Sequence, residues 1–249
     1  MARYFLEVAY DGTAFHGSQV QGNQITVQLA INQALSTLLR EPIISFGASR
    51  TDAGVHALCN FYHFDTLQPL HNFQYKMNAI LPHAVCVKRI YTAADDLNAR
   101  FHAISRRYRY RIYHAKDPFM YERGLFYPYA INRELLHEVA AILPEYTNFE
   151  TFSKRNTQSN TFICNLTRSV WEEHNNELHY IVEGNRFLRG MVRGLVGTQL
   201  QVARGKITIE QFRTIIEGRD CTKADFSVAG HGLYLEDISY ADGVLQRIV

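Results

Sequence analysis

The fold turns on the stretch "IISFGASRTDAGVHALCNFYHFD", Ile43 to Asp65. Its two ends, "IISFGAS" and "HALCNFYHFD", are apolar and partly β-branched or aromatic, which predicts two strands. Between them the glycine-flanked segment "GASRTDAGVHA" (Gly47 to Ala57) carries Arg50, Asp52 and His56 on a loop. On local grounds "RTDAGVH" is an Asx-turn, with Asp52 capping its own loop and Gly54 supplying an unusual backbone angle.

The same short-range alternation recurs outward from this loop. "RYFLEVAYDGT" sets Tyr4, Leu6, Val8 and Tyr10 against Phe5, Glu7 and Ala9 and predicts a strand ending at an Asp-Gly turn. "TVQLAINQALSTLLR" predicts a helix capped by Thr26, with Val27, Ala30, Ile31, Ala34, Leu35 and Leu38 on one face and Pro42 ending it. "FQYKMNAIL" predicts a short helix stopped by Pro82, and "AVCVKRIYTA" a strand. In the second half "RRYRYRIYHA" predicts a strand, and "NRELLHEVAAIL" a helix capped by Asn132. "SVWEEHNNELHYIVEG" reads as a hairpin around Asn175-Asn176. "NRFLRGMVRGLVGTQLQVARG" predicts a long helix, "TIEQFRTIIEG" another capped by Thr208, and "GLYLEDISY" a closing strand. The Tyr- and Pro-rich "YHAKDPFMYERGLFYPY" reads as an ordered connector between the halves. Strands and helices mix at hairpin spacing in both halves, which favours α+β layers with mainly antiparallel sheets over a doubly wound parallel fold.

The 249 residues are ample for a real core. With 47% hydrophobic and 20% charged residues, the composition is that of an ordinary soluble protein. No apolar run has bilayer-spanning length, and "MARYFLEVAYDGT" lacks a signal-peptide layout, so a cytoplasmic location without membrane contact is expected. Cys59, Cys86, Cys164 and Cys221 show no C-x-x-C spacing, which fits free thiols in a reducing compartment. A net charge of +2 announces no nucleic-acid partner by itself. The distribution says more: arginines crowd into "ARFHAISRRYRYRIYHAK", "FSKRN" and "NRFLRGMVRGLVG", interleaved with aromatic residues.

Three motifs bear on chemistry. On a strand, Arg106, Tyr108, Tyr110 and Ile112 share one face, and Arg107, Arg109, Arg111 and Tyr113 the other. Aromatic rings beside arginines form a simple device for single-stranded RNA, although Tyr108 and Tyr110 suit a core equally well. In "NRFLRGMVRGLVG", Arg186, Arg189 and Arg193 step by three and four beside an apolar stripe, and Gly190, Gly194 and Gly197 admit a close neighbour. An arginine on such a packed helix needs an anionic partner, and Asp52 is a candidate. His56, Cys59 and His63 have ligand-like intervals but do not share a strand face, so no metal site is expected. Nucleotide-loop, nucleophile-elbow and metalloprotease motifs are all lacking, and no cofactor is implied.

"YDGTAFHGSQ", "GASRTDAGVHA", "ARFHAISRRYRYRI", "FLRGMVRGLVG" and "GLYL" together resemble the TruA family of tRNA pseudouridine synthases, in the family's order and over nearly the whole chain. The resemblance implies the pseudouridine synthase fold: two similar halves, each a mainly antiparallel sheet backed by helices, with a basic active-site cleft between them. It divides the chain into an N-terminal half, 1–104, with the aspartate loop, and a C-terminal half, 105–249, with the base-stacking tyrosine and the Arg-rich helix. It implies that Asp52 is the catalytic nucleophile, that Arg193 pairs with it, that Tyr108 stacks on the target base and that Arg50 contacts substrate. It further implies a homodimer acting on uridines 38, 39 and 40 of the tRNA anticodon arm. The sequence departs from the family's pattern at Ser18, where Trp is usual, at Ser49, where Gly is usual, and at Ser227-Val228-Ala229, where Ala-Pro-Ala is usual.

The implied chemistry agrees with the motifs. Making pseudouridine breaks the N1–C1′ bond and rejoins the turned base through C5, a redox-neutral change that needs no cofactor. It needs a carboxylate near C1′, acting as nucleophile or as a base on the ribose. The base must leave its stack to be reached. The main rival is a catalytically silent RNA-binding module of the same fold. A carboxylate nuclease or glycosidase would need a second acid or a metal, and Asp11 is the only acid near a motif in the first half.

Overall fold

The computed structural model describes residues 2–155 and 161–248. Asn156, which closes the "FSKRN" cluster, lies outside the described residues. The chain forms two compact units, one of residues 1–104 with 234–249 and one of residues 105–233.

The first unit contains β1 (Ala2–Tyr10), α1 (Val27–Leu39), β2 (Phe46–Gly47), β3 (His56–Thr66), α2 (Phe73–Ile80) and β4 (Val85–Ala93). The second contains β5 (Ser105–Tyr113), β6 (Leu125–Phe126), α3 (Arg133–Ile142), β7 (Leu166–His174), β8 (Glu177–Gly184), α4 (Met191–Ala203) and α5 (Ile209–Glu217). The chain then enters β9 (Leu233–Ser239), which from Tyr234 on belongs to the first unit, and ends in β10 (Gln246–Arg247).

In the first unit the strand order is β10-β4-β1-β3-β9, with β2 beside β3. Every pairing is antiparallel except the short parallel contact of β3 with β9. β1 is central: Leu6 faces Tyr62 of β3 on one side and Ile90 of β4 on the other. Phe5, Leu6, Glu7 and Val8 are consecutively buried, so both faces of β1 are covered. α1 starts where the Thr26 hydroxyl accepts the Leu29 N–H at 3.3 Å. It ends at Arg40 in the left-handed region, φ 56°, before Pro42 is reached. The apolar run "IISFGAS" yields only the two-residue β2, because the loop after it leaves the sheet to form the polar contacts described below.

In the second unit β5, β8 and β7 form an antiparallel sheet in that order, with β6 parallel to β5. Asn175 turns the β7–β8 hairpin at φ 54°. The connector segment after β5 carries a 3-10 turn, Pro118–Met120, and β6, and it lies inside this unit. Trp171 of β7 donates its indole N–H to Gln199 of α4 at 2.9 Å, tying helix to sheet through a buried bond. Asn132 and Thr208 cap α3 and α5 as predicted, and Thr208 with Gln211 completes a capping box.

The long helix expected from Asn185 begins only at Met191, after Gly190 at φ 75°. Arg186 and Arg189 therefore lie ahead of the helix and do not share a helical face with Arg193. The two helical glycines do make close contacts. A Cβ on Gly194 would meet the Phe226 ring at 2.8 Å, and one on Gly197 would meet the Asp225 carbonyl oxygen at 2.2 Å.

Candidate active site

The Asp52 loop is positioned from the N-terminal side of its own unit. Asp52 is half-buried and opens a tight turn in which its carbonyl accepts the Val55 N–H at 3.2 Å, with Gly54 at φ 75°. That geometry matches the role expected of Gly54. Gly12 and Gly17 clamp the loop from outside. A Cβ on Gly12 would lie 2.0 Å from the Val55 carbonyl oxygen, and one on Gly17 would lie 2.9 Å from that of Thr51. The "YDGTAFHG" stretch is thus one wall of the loop that carries Asp52.

A buried polar network fixes the other wall. Asn60, fully buried in β3, donates to the Ser49 carbonyl at 3.0 Å and to the Tyr10 hydroxyl at 3.2 Å, and accepts the Ser49 N–H at 3.3 Å. Tyr10 shares a 2.9 Å hydrogen bond with Thr51. Burial raises the Tyr10 phenol above its ordinary range, so it stays protonated. Ser18 brackets Thr51: its Oγ accepts the Thr51 N–H at 2.8 Å, and its own N–H donates to the Thr51 carbonyl at 3.0 Å. The backbone on both sides of Arg50 is therefore hydrogen-bonded, while the Arg50 side chain is exposed. Sequence reasoning missed Tyr10, Ser18 and Asn60 as supports. The visible signal was Asn60 itself, a polar residue inside the apolar run "HALCNFYHF".

His56 is structural. It is buried, its Nδ1 accepts the Gly12 N–H at 3.1 Å with Asp11 at 3.2 Å, and it stacks on Tyr234 at 4.6 Å. Asp11 also caps the Thr13 N–H at 3.1 Å. His63 Nδ1 accepts the Ala99 N–H at 3.2 Å, and burial lowers its pKa to about 4. Among the described residues no group of three or more His, Cys, Asp or Glu could hold a metal ion.

In the second unit β5 keeps the predicted alternation as far as Ile112, with Arg106, Tyr108, Tyr110 and Ile112 buried and Arg107, Arg109 and Arg111 half-buried, while Tyr113 on the opposite face is also buried. Tyr108 meets Phe187 edge-on at 5.0 Å. Tyr110 belongs to the core, with its hydroxyl donating to the Ala229 carbonyl at 2.7 Å. The opposite face is not a bare phosphate-binding stripe. Arg107 pairs with Glu183 at 3.1 Å, and Arg111 grips Glu177 through two 2.9 Å bonds, so β8 neutralises much of that charge. Arg193, on the first turn of α4, donates to the Val228 carbonyl at 2.8 Å and to that of Phe226 at 3.3 Å. The 226–228 segment thereby orients its guanidinium.

The chain thus has an α+β fold with a mainly antiparallel sheet, an aspartate on a hydrogen-bonded loop between strands and an arginine on the first turn of a helix. Comparison with known proteins gives the family. A family model described as tRNA pseudouridine synthase matches residues 146–241. The chain is 40% identical over 245 residues to tRNA pseudouridine synthase A of Parabacteroides distasonis, covering 97% of both chains. It is 40% identical over 252 residues to the protein of that name from Bacteroides thetaiotaomicron, covering 99% of this chain and 94% of the relative. The Bacillus subtilis relative is 34% identical over 241 residues, covering 94% and 97%. The chain belongs to the TruA family of tRNA pseudouridine synthases, isomerases that act on tRNA.

Proposed function

We propose that this protein isomerises uridine to pseudouridine in the anticodon stem-loop of tRNA, at positions 38, 39 and 40. Asp52 is the nucleophile: its carboxylate attacks C1′ as the N1–C1′ bond breaks, and the freed base turns. The C5–C1′ bond forms as the carboxylate leaves, the C5 proton is lost and N1 regains a proton. No electrons enter or leave, so the reaction balances without a cofactor. Arg193 pairs with Asp52, Tyr108 packs on the target base and Arg50 holds the RNA backbone. The two halves act as one catalytic unit around a basic cleft, and the working enzyme is a cytoplasmic homodimer. No helix among the described residues is long and apolar enough to cross a membrane.

The observation that carries this reading is the preorganised Asp52 loop. Its neighbours are fixed by buried side chains of β1, β3 and the segment ahead of α1, whereas a turn that only joined two strands would need no such framework. Arg193 is likewise pre-oriented by backbone carbonyls. The test is tritium release from a tRNA transcript labelled at uridine C5, with the parent protein and Asp52→Asn side by side. Release by the parent alone supports the assignment. Equal release by both removes Asp52 from the chemistry, and no release by either leaves a silent RNA-binding module.

A further inference from the structure

The first unit contains a cavity of about 150 Å3 beside the Asp52 loop. Ser18, Phe46, Arg50, Tyr62, Arg100 and Phe101 define its character, and Asp52 is not among its lining residues. A cavity of about 150 Å3 holds one six-membered ring. The lining contains no carboxylate but includes two guanidinium groups, so it favours an anionic ligand.

The aromatic part of the lining narrows the ligand further. The Tyr62 ring is buried, with its hydroxyl closed off from solvent beside Tyr10 and Ser18, so it forms a wall. The other two rings are exposed. Phe101 is 75% and Phe46 56% accessible, and the Arg100 guanidinium lies over the Phe101 ring at 5.5 Å. Exposed rings beside arginines are the platform on which unpaired bases stack while their phosphates are held.

We propose that this cavity is a second base-binding site, which takes an unpaired pyrimidine of the RNA substrate other than the uridine being isomerised. The base stacks against Phe46 or Phe101, and Arg50 and Arg100 hold the adjoining phosphates. Occupancy is linked to the catalytic loop, because Ser18 and Arg50 line the cavity while Ser18 holds Thr51 by two hydrogen bonds. The proposal rests on the tRNA isomerase reading for the identity of the RNA.

The test uses the full chain and tRNA transcripts in which each unpaired pyrimidine of the anticodon arm is replaced in turn by photoreactive 4-thiouridine. The expected result is a cross-link from one position, distinct from the isomerised uridine, to a peptide containing Phe46, Tyr62 or Phe101. Phe101→Ala shortens a side chain that is 75% exposed, so folding is retained. It should raise KM by about fivefold with kcat little changed, the low end of what one base–aromatic stack contributes. An abasic nucleotide at the cross-linking position should make parent and Phe101→Ala equal. Cross-links that avoid these peptides, or that arise only from the target uridine, overturn the proposal. So does a Phe101→Ala effect that persists on the abasic transcript. Cross-linking does not need turnover, so a protein that cross-links as expected but releases no tritium would overturn the isomerase reading alone.

Discussion

At the scale of single residues, Asp52 and Asn60 divide the work of the loop. Asp52 bears the carboxylate, and Asn60 holds both backbone groups of Ser49 and the Tyr10 hydroxyl. Asp52→Asn preserves size and leaves the Val55–Asp52 backbone bond in place. Its expected outcome is loss of tritium release with an unchanged melting temperature. Asn60→Leu should behave differently. Each buried polar group left unpaired costs about 1–3 kcal/mol. With Asp52 as the proposed nucleophile, a displacement of about 1 Å should cost on the order of 10²-fold in rate. The variant should therefore melt earlier and, when assayed well below its melting point, turn over more slowly on tRNA it still binds. Full activity in a destabilised Asn60→Leu protein would show that the network supports the fold and not the loop geometry. The sequence made Asp52 and Gly54 legible because a turn is a local object. Tyr10 and Ser18 were not legible as supports, since each meets its partner more than 30 residues away, at Thr51.

At the scale of elements, the α4 glycines test close packing. Helix-interior glycine is costly, so its presence marks a neighbour that comes too near for any side chain. Asp225 approaches Gly197 through its backbone oxygen, which cannot swing aside as the Phe226 ring beside Gly194 can. Gly197→Ala is therefore expected to lose about 1–3 kcal/mol, as overpacked sites do, and to cost more than Gly194→Ala in denaturant titrations. The reverse order would place the tighter contact at Phe226. The glycine spacing showed the close approach in the sequence. The start of α4 was not legible, because "NRFLRG" keeps helical periodicity while Gly190 takes a left-handed backbone and the chain ahead of it stays non-helical. In β5 the alternation of burial was legible, but the fate of its arginines was not. Glu177 and Glu183 come from β8, and only the hairpin register places them opposite Arg111 and Arg107.

At the scale of the whole molecule, pH acts through buried histidines. Burial lowers His63 to about 4, with the Arg3 charge adding to the effect and Asp65 opposing it. His179 and His231 are also lowered, first by burial. An unfolded chain takes up these protons near pH 6.5, whereas the folded chain refuses the His63 proton until about pH 4. The stability from neutral His63 is thus complete above pH 6.5, falls as the pH drops through that value, and is gone below about 4. Each such proton contributes a slope of at most about 1.4 kcal/mol per pH unit. Asp65, held low by its hydrogen bonds with Arg3, adds a separate loss only below its ordinary carboxylate range. Urea midpoints measured from pH 7.5 to 5 should therefore decline before any carboxylate titrates. His63→Asn offers an oxygen near the position of Nδ1 for the Ala99 N–H and cannot be protonated. It should be less stable at pH 7.5, where packing of the ring against Phe5 and Phe46 is lost, yet decline less between pH 6.5 and 5. A variant that declines as steeply as the parent would move the acid sensitivity to His179 and His231, in the second unit.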